Sequence, residues 1–287
     1  MKKKITPGKV FDFFNVIFMI FVIVVTAYPF LYVVLASVSD PSALFAHTGL
    51  LLKPLEPLTL HAYEMVFDMP LIASGFKNTF FVLIVGVTIN MIMTTLGAFF
   101  LSLKGPMHKN LIAFMVVFTM YFSGGLVPTY LNIKSLGLLN SLWALIIPGA
   151  IGTTNMIILR TAFQSIPDSL VEAAQLDGGS YVQILLKIFI PLSKATLAVL
   201  VLYYTVAHWN SWFSASIYLT DNKKYPLQLI VRQLLANQGG EISMDMVLYI
   251  DLVKYALIVI TTLPVLVVYP FLQKYFTKGV MIGALKG

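Results

Sequence analysis

Long apolar runs, separated by short polar or proline-rich stretches, dominate the chain. They fall at about 13–36, 77–102, 110–130, 142–163, 191–214 and 252–273. Crossing a hydrocarbon layer of about 30 Å as a helix takes roughly 20 residues, and each run is long enough. The expected fold class is therefore an all-α membrane protein with six transmembrane helices. Residues 1–287 read as a single transmembrane domain, because no repeat, low-complexity tract or linker divides them.

Composition removes the soluble alternatives. Of 287 residues 59% are hydrophobic and 11% charged, with a mean hydropathy of +0.88, whereas soluble domains carry roughly a quarter charged residues. The net charge of +7 is spread one or two residues per connection. A nucleic-acid partner would need a basic patch, so none is expected. Cysteine is absent, which excludes disulfides, thiolate nucleophiles and Cys-based metal sites. The start, MKKKITPGK, has the charge order of a signal peptide. The apolar stretch from Phe13 to Leu35 is too long for one and lacks a clean small-x-small cleavage site, so it reads as a retained first span.

Charge also orients the chain. Twelve basic residues, including Lys2, Lys3, Lys4, Lys104, Lys109, Arg160, Lys187 and Lys194, fall on the side of the termini, against seven on the other. The positive-inside rule then expects both termini in the cytoplasm. Residues 164–190 become a cytoplasmic connection. The proline-rich stretch with Pro41, Pro54, Pro57 and Pro70 and the stretch from about 215 to 251 become the two long outer ones.

The cytoplasmic connection contains EAAQLDGGSYVQILLKIFIP, residues 172–191. Ser169 stands three residues before Glu172, and Ser180 three before Gln183; both pairs fit a capping box. Gly178 and Gly179 between them supply a helix stop that tolerates positive φ. The expectation is helix, corner, helix. The first helix carries Leu170, Val171, Ala173, Ala174 and Leu176, which suits docking against a partner. A helix lying on the bilayer is the competing reading, and no Lys or Arg cluster lines its polar face to support it.

These residues carry a family resemblance. Glu172-Ala173-Ala174, three residues, Gly178, nine residues, then Ile188, Phe189, Ile190 and Pro191 resemble the EAA loop of binding-protein-dependent ABC importer permeases, with Ile190 where Leu is usual. Lys77-Asn78-Thr79, Leu101-Ser102, Trp209-Asn210 and the tail from Tyr275 to Gly287 are similar to the MalG-type half of carbohydrate permease pairs. The stretches from His208 to Trp212 and from Tyr225 to Arg232 resemble the LplC/YtcP-like branch, which is associated with complex or uronic-acid-containing oligosaccharides.

The resemblance implies a MetI/MalG-like permease fold with a cytoplasmic coupling helix. It also implies a second MalF/LplB-like permease, two copies of a cytosolic ABC ATPase, an external sugar-binding protein and an oligosaccharide substrate. Glu172, Ala173, Ala174, Asp177, Gly178 and Pro191 would couple to the ATPase. Consistently, no phosphate loop of the GxxxxGK type occurs, so a partner would supply ATP chemistry.

Polar residues inside spans are costly and single themselves out. Asn90, Thr94, Thr95 and Asn155 either line the passage or hydrogen-bond between helices, the commoner fate in bundles. His208, Trp209, Asn210 and Trp212 combine aromatic faces with amides, as sugar sites do, while an interfacial aromatic belt explains the tryptophans too. Pro29, Pro148, Pro264 and Pro270 predict static kinks, and Gly124-Gly125 with Pro128 predicts the end of the third span. The polar segment 221–238 reads as a solvated loop or a contact for the binding protein.

Other classes fit less well. His47, His61, His108 and His208 lack metal-ligand spacing and no Asp or Glu sits mid-span, so no catalytic, metal or cofactor site is expected. An ion-gradient-driven secondary transporter would bury coupling carboxylates near the midplane. It remains the alternative.

Overall fold

The computed structural model describes residues 7–105, 107–236, 250–267 and 270. Residues 2–4, the tail from Tyr275 to Gly287 and the end of the sixth apolar run, all used in the sequence argument, lie outside them. Among the described residues every regular element is helical. In chain order they are α1 (Pro7–Ser37), α2 (Pro41–Ala46), α3 (His61–Phe67), α4 (Pro70–Ser102), α5 (Lys109–Tyr121) and α6 (Leu126–Ser135). Two short 3-10 segments, Leu142–Leu145 and Ile147–Gly149, precede α7 (Thr153–Gln164) and α8 (Asp168–Leu176). Then come α9 (Tyr181–Leu192), α10 (Lys194–Trp209), α11 (Trp212–Tyr218), α12 (Leu227–Ala236) and α13 (Ile250–Val267). They form two compact units, residues 1–69 with 234–263 and residues 70–233 with 264–287.

The first unit is built on α1, which is apolar on all sides and exposed along most of its length. A helix of that kind is stable only against lipid or another apolar helix. Pro29 lies inside it without ending it. The stretch after α1, expected as a loop, folds into α2 and α3. Asp40 caps α2 by accepting from the Ala43 N–H at 2.8 Å. Ser39 Oγ accepts from the Leu55 N–H at 3.0 Å, and Tyr28 OH accepts from the Leu51 N–H at 2.9 Å. Local side-chain acceptors thus satisfy backbone donors that no regular element uses.

The second unit is organised on α4. Its 33 residues span about 50 Å at 1.5 Å per residue, well beyond the bilayer core. It starts at Pro70, seven residues before the expected Lys77, because proline is at home in a first helical turn and nothing in LIASGF stops a helix. Three other expected spans are broken. The third run is α5 and α6 at 118° to one another and the fourth is the 3-10 pair and α7 at 44°; the fifth, expected from 191, opens on an 85° bend between α10 and α9, which lies almost wholly in the expected connection 164–190. Counting each bent pair as one, the described residues hold six candidate spans. The break within the third run has a backbone cause: Gly125 takes φ 88°, ψ 179°, a combination only glycine adopts freely. α5 itself ends earlier, at Tyr121 with Phe122 extended, and Gly125 is the N-cap of α6 with Pro128 in its first turn, so Gly124-Gly125 and Pro128 break the third run and lead into α6 where the end of the span was expected.

Among the described residues, two apolar clusters hold this unit. At the end carrying α8, Phe99, Leu101, Leu159, Phe163, Ile184 and Phe189 are buried together, with Val171 and Ala174 of α8 packed on them. At the opposite end Val82, Ile133, Ile146, Tyr218 and Leu229 form the second. α4 joins them, packing along α7 and α10 between.

Candidate functional site

α8 projects from the end of the bundle with its outward face uncovered. Its start differs from expectation. The helix begins at Asp168, with Pro167 at the cap position (φ −59°) and no side-chain cap. Proline fixes the entry and brings no N–H to satisfy, which moves the cap two residues back from Ser169 and leaves the expected Ser169–Glu172 box unformed. Asp168 instead lies in the first turn, where its charge complements the helix dipole. It forms an ion pair with Lys104 from the α4–α5 connection. The Asp168 hydrogen bond and charge hold the Lys104 ammonium above the ordinary lysine value, and the nearby Glu172 charge adds to this.

The other end of α8 follows the sequence closely. The Gly179 N–H reaches Ala174 O at 2.8 Å, and the Gly178 N–H reaches Gln175 O at 3.0 Å. This is the paired-bond helix stop known as the Schellman motif, with Gly178 left-handed at φ 76°. A Cβ on Gly179 would stand 2.7 Å from Ala174 O, whereas one on Gly178 would meet nothing within 4 Å. Ser180 then caps α9, its Oγ accepting from the Gln183 N–H and the Gln183 Oε1 accepting from the Ser180 N–H at 2.9 Å.

The six coupling candidates therefore divide by orientation. Glu172, Ala173, Asp177 and Gly178 are exposed, while Ala174 is half-buried against the apolar cluster. Leu176, 90% exposed, adds an apolar side chain to the same outward surface. Pro191 sits beyond a widened π turn in which the Ile190 N–H reaches Leu185 O, five residues back. The chain then bends 85° at Ser193. Beneath α8, Phe189 meets Phe99 edge-on at 4.9 Å and Phe163 at 5.2 Å. Three helices thus share one aromatic contact directly under α8.

Mid-bundle, the polar candidates do different jobs. Asn90, 1% exposed, donates to Gly149 O at 2.6 Å, and its Oδ1 lies 2.7 Å from His208 Nε2. Thr94 pairs with Tyr204 OH at 2.6 Å, and that hydroxyl accepts from the Gly152 N–H at 3.0 Å. Gly149 and Gly152 flank the break between the 3-10 segments and α7. Side chains of α4 and α10 thus satisfy backbone groups that the broken fourth span leaves free, as an apolar setting requires. Nothing in the sequence singles out Tyr204, because a tyrosine in an apolar run carries no partner information.

The other candidates lie apart from this network. Trp209, 5% exposed, packs edge-on to Phe80 at 6.5 Å. With Leu83, Leu202, Val206 and Asn210 they line an apolar cavity of about 370 Å³. Asn210 is exposed and donates to Val206 O at 2.9 Å. Asn155 is half-buried on α7. Trp212 lies at the end remote from α8, under the guanidinium of Arg232 at 3.8 Å.

Broken spans around one long helix, with a capped helix exposed at one end, define a multi-pass membrane permease. No family model matches the chain. Relatives do: it is 40% identical over 285 residues to Protein LplC of Bacillus subtilis (strain 168), covering 98% of this chain and 96% of that protein. It is 37% identical over 286 residues to the polygalacturonan/rhamnogalacturonan transport system permease protein YtcP of the same organism, covering 98% and 99%. A solved structure of a bacterial ABC transporter involved in the import of the acidic polysaccharide alginate has a chain that superposes with a TM-score of 0.89 at 30% identity, covering 95% and 99%. The chain belongs to the carbohydrate permeases of the ABC importers. It is the membrane-spanning, non-catalytic subunit of an ATP-driven sugar importer, and a partner permease, an ATPase and a binding protein complete the machine.

Proposed function

We propose that the chain works as one transmembrane domain, 1–287, beside a MalF/LplB-like permease. Two copies of a cytosolic ABC ATPase and an extracellular or periplasmic sugar-binding protein complete the assembly in a bacterial plasma membrane. Both termini lie in the cytoplasm. The cargo is an oligosaccharide containing uronic acids; the names of YtcP and of the alginate transporter support an acidic sugar.

The observation that carries the coupling role is α8. It is an uncovered helix, fixed at one end by Asp168–Lys104 and at the other by the Gly178–Gly179 corner, seated on the Phe99–Phe163–Phe189 contact. Glu172, Ala173, Asp177, Gly178 and Leu176 face the ATPase, Ala174 locks the helix to the bundle, and Pro191 sets the bend into α10. ATP binding favours the closed ATPase dimer, which carries α8 with it. Nucleotide drives the swing only as far as its affinity differs between the two states. In the path, Trp209 and Asn210 offer the sugar-facing surface, while Asn90 and His208 act as positioning residues; Asn155 and Trp212 lie outside that pocket.

The test is uptake into proteoliposomes holding the complete complex. Enclosed ATP with liganded binding protein should drive accumulation, and an imposed ion gradient without ATP should not. Accumulation on the gradient alone would select the secondary-transporter reading instead.

A further inference from the structure

At the end of the second unit remote from α8, charge is strongly one-sided. Among the described residues there, Lys77, Lys134, Lys223, Lys224 and Arg232 face a single carboxylate, Asp221. That carboxylate is occupied, accepting from the Lys223 N–H at 3.0 Å as a turn cap. Lys224 is also committed, donating to Asn140 O at 2.8 Å. Lys77, Lys223 and Arg232 are exposed.

The backbone beneath these cations is firmly held. Asn78 Nδ2 donates to Lys223 O at 2.8 Å and Tyr225 O at 3.1 Å, which brings the Lys223 turn beside Lys77. The Leu227 N–H donates to Thr79 Oγ1 at 2.9 Å. α12 buries Leu227, Leu229, Ile230 and Val231, with Ile230 seated where a Cβ on Gly75 would stand 2.6 Å from it. Arg232 rises from this anchored helix with its guanidinium over the Trp212 indole at 3.8 Å. Among the described residues no carboxylate pairs with it.

A guanidinium resting by its face on an indole keeps its N–H edge available. Cation–π attraction uses the face and bidentate carboxylate binding uses the edge, so one does not exclude the other. Stacking also removes side-chain freedom before a ligand arrives, which lysine could not reproduce. We infer that Arg232 on Trp212, with the exposed Lys77 and Lys223 at the same end of the unit, receives the carboxylates of an acidic oligosaccharide as it enters the permease. The inference rests on the uronate cargo proposed above and assigns that cargo a first contact outside the Trp209–Asn210 pocket.

The experiment measures uptake of trigalacturonate by the reconstituted complex as its loaded binding protein is titrated. Arg232→Gln should lower the maximal uptake rate about tenfold, with half-saturation by binding protein unchanged, and Arg232→Lys should fall between. A raised half-saturation with an unchanged maximal rate would mean the ledge docks the binding protein, and overturns the inference. So would uptake equal to wild type. Should Arg232→Gln fail to assemble, Lys77→Gln combined with Lys223→Gln alters exposed side chains only and is held to the same outcomes. If wild type imports a neutral oligosaccharide but never trigalacturonate, the cargo reading itself has failed, and this inference with it.

Discussion

Substitution at Gly178 separates the surface of the α8 corner from its backbone strain. At φ 76°, a residue with a Cβ costs about 1–2 kcal/mol in the left-handed region, a factor of about 5–30 in the local equilibrium. Asn and Asp tolerate that region better than Ala. Strain therefore ranks Gly178→Ala as the worst of three variants. No atom lies within 4 Å of the Cβ position, so no internal clash modifies that order. If α8 docks in a cleft of the ATPase, the order reverses. Asp then adds a charge beside Asp177 and Glu172 at the interface, Asn adds bulk without charge, and Ala adds least.

The assay is ATP-driven uptake in proteoliposomes, with ATPase co-purification and thermal melting measured on the same preparations. All three variants should melt close to wild type. Gly178→Asp should fall below about a tenth of wild-type uptake, the loss expected when an unpaired charge of a few kcal/mol is forced into an interface. Asn should be intermediate and Ala closest to wild type. An order with Ala lowest, or wild-type uptake for Gly178→Asp, would refute docking at this corner.

Tyr204→Phe leaves the Gly152 N–H and the Thr94 hydroxyl without their partner, and should lower stability by about 1 kcal/mol, read as a drop in the melting temperature; an unchanged melt would remove the stitch across the fourth span. Trp209→Ala should reduce sugar uptake while preserving ATPase stimulation by the binding protein, and equal uptake would make Trp209 a packing residue. Lys104→Gln should weaken coupling by a factor that stays constant between about pH 7 and 9. The raised lysine pKa means its pairing is fully present below the unfolded value and fades only as pH climbs through the folded one. A pH-dependent ratio in that range would show that another group controls the effect.

The Gly178-Gly179-Ser180 corner was readable because its chemistry is local. The left-handed stop and the Ser180 box both close within six residues. The start of α8 departs from the pattern for the same kind of reason: Ser169 fits a cap, but the geometry of Pro167 acts first. Breaks in the third and fifth spans were invisible to hydropathy, which sums over a bend as readily as over a straight helix. Asn90 and Thr94 announced themselves as polar residues in apolar runs, yet their partners lie 59 and 110 residues away. The segment 221–238 reads as a polar loop, although Leu227, Ile230 and Val231, three and four residues apart, fall on the buried face of α12.

How motion at α8 could reach the middle of the bundle follows from the register of α4. Gly75, Gly86 and Gly97 are eleven residues apart, about three turns, so they lie on nearly one face. Each admits a different neighbour at close range: Ile230 of α12, His208 of α10 and Met156 of α7. A rotation of α4 about its axis would disturb all three contacts together, whereas a tilt shared with its neighbours preserves them. The Phe99–Phe163–Phe189 contact joins α4, α7 and α9 in the same way at the α8 end. Packed elements of this kind move as bodies between discrete arrangements. Displacement is most readily taken up where the backbone is already broken: at Ser193, between Gly149 and Gly152, and at Gly125. The second of these is held by Asn90 and Tyr204, whose hydrogen bonds can exchange without unfolding a helix. On the coupling role proposed for α8, this helix and its aromatic seat form a stiff lever, and the Gly149–Gly152 break held by Asn90 and Tyr204 forms a compliant joint mid-bundle.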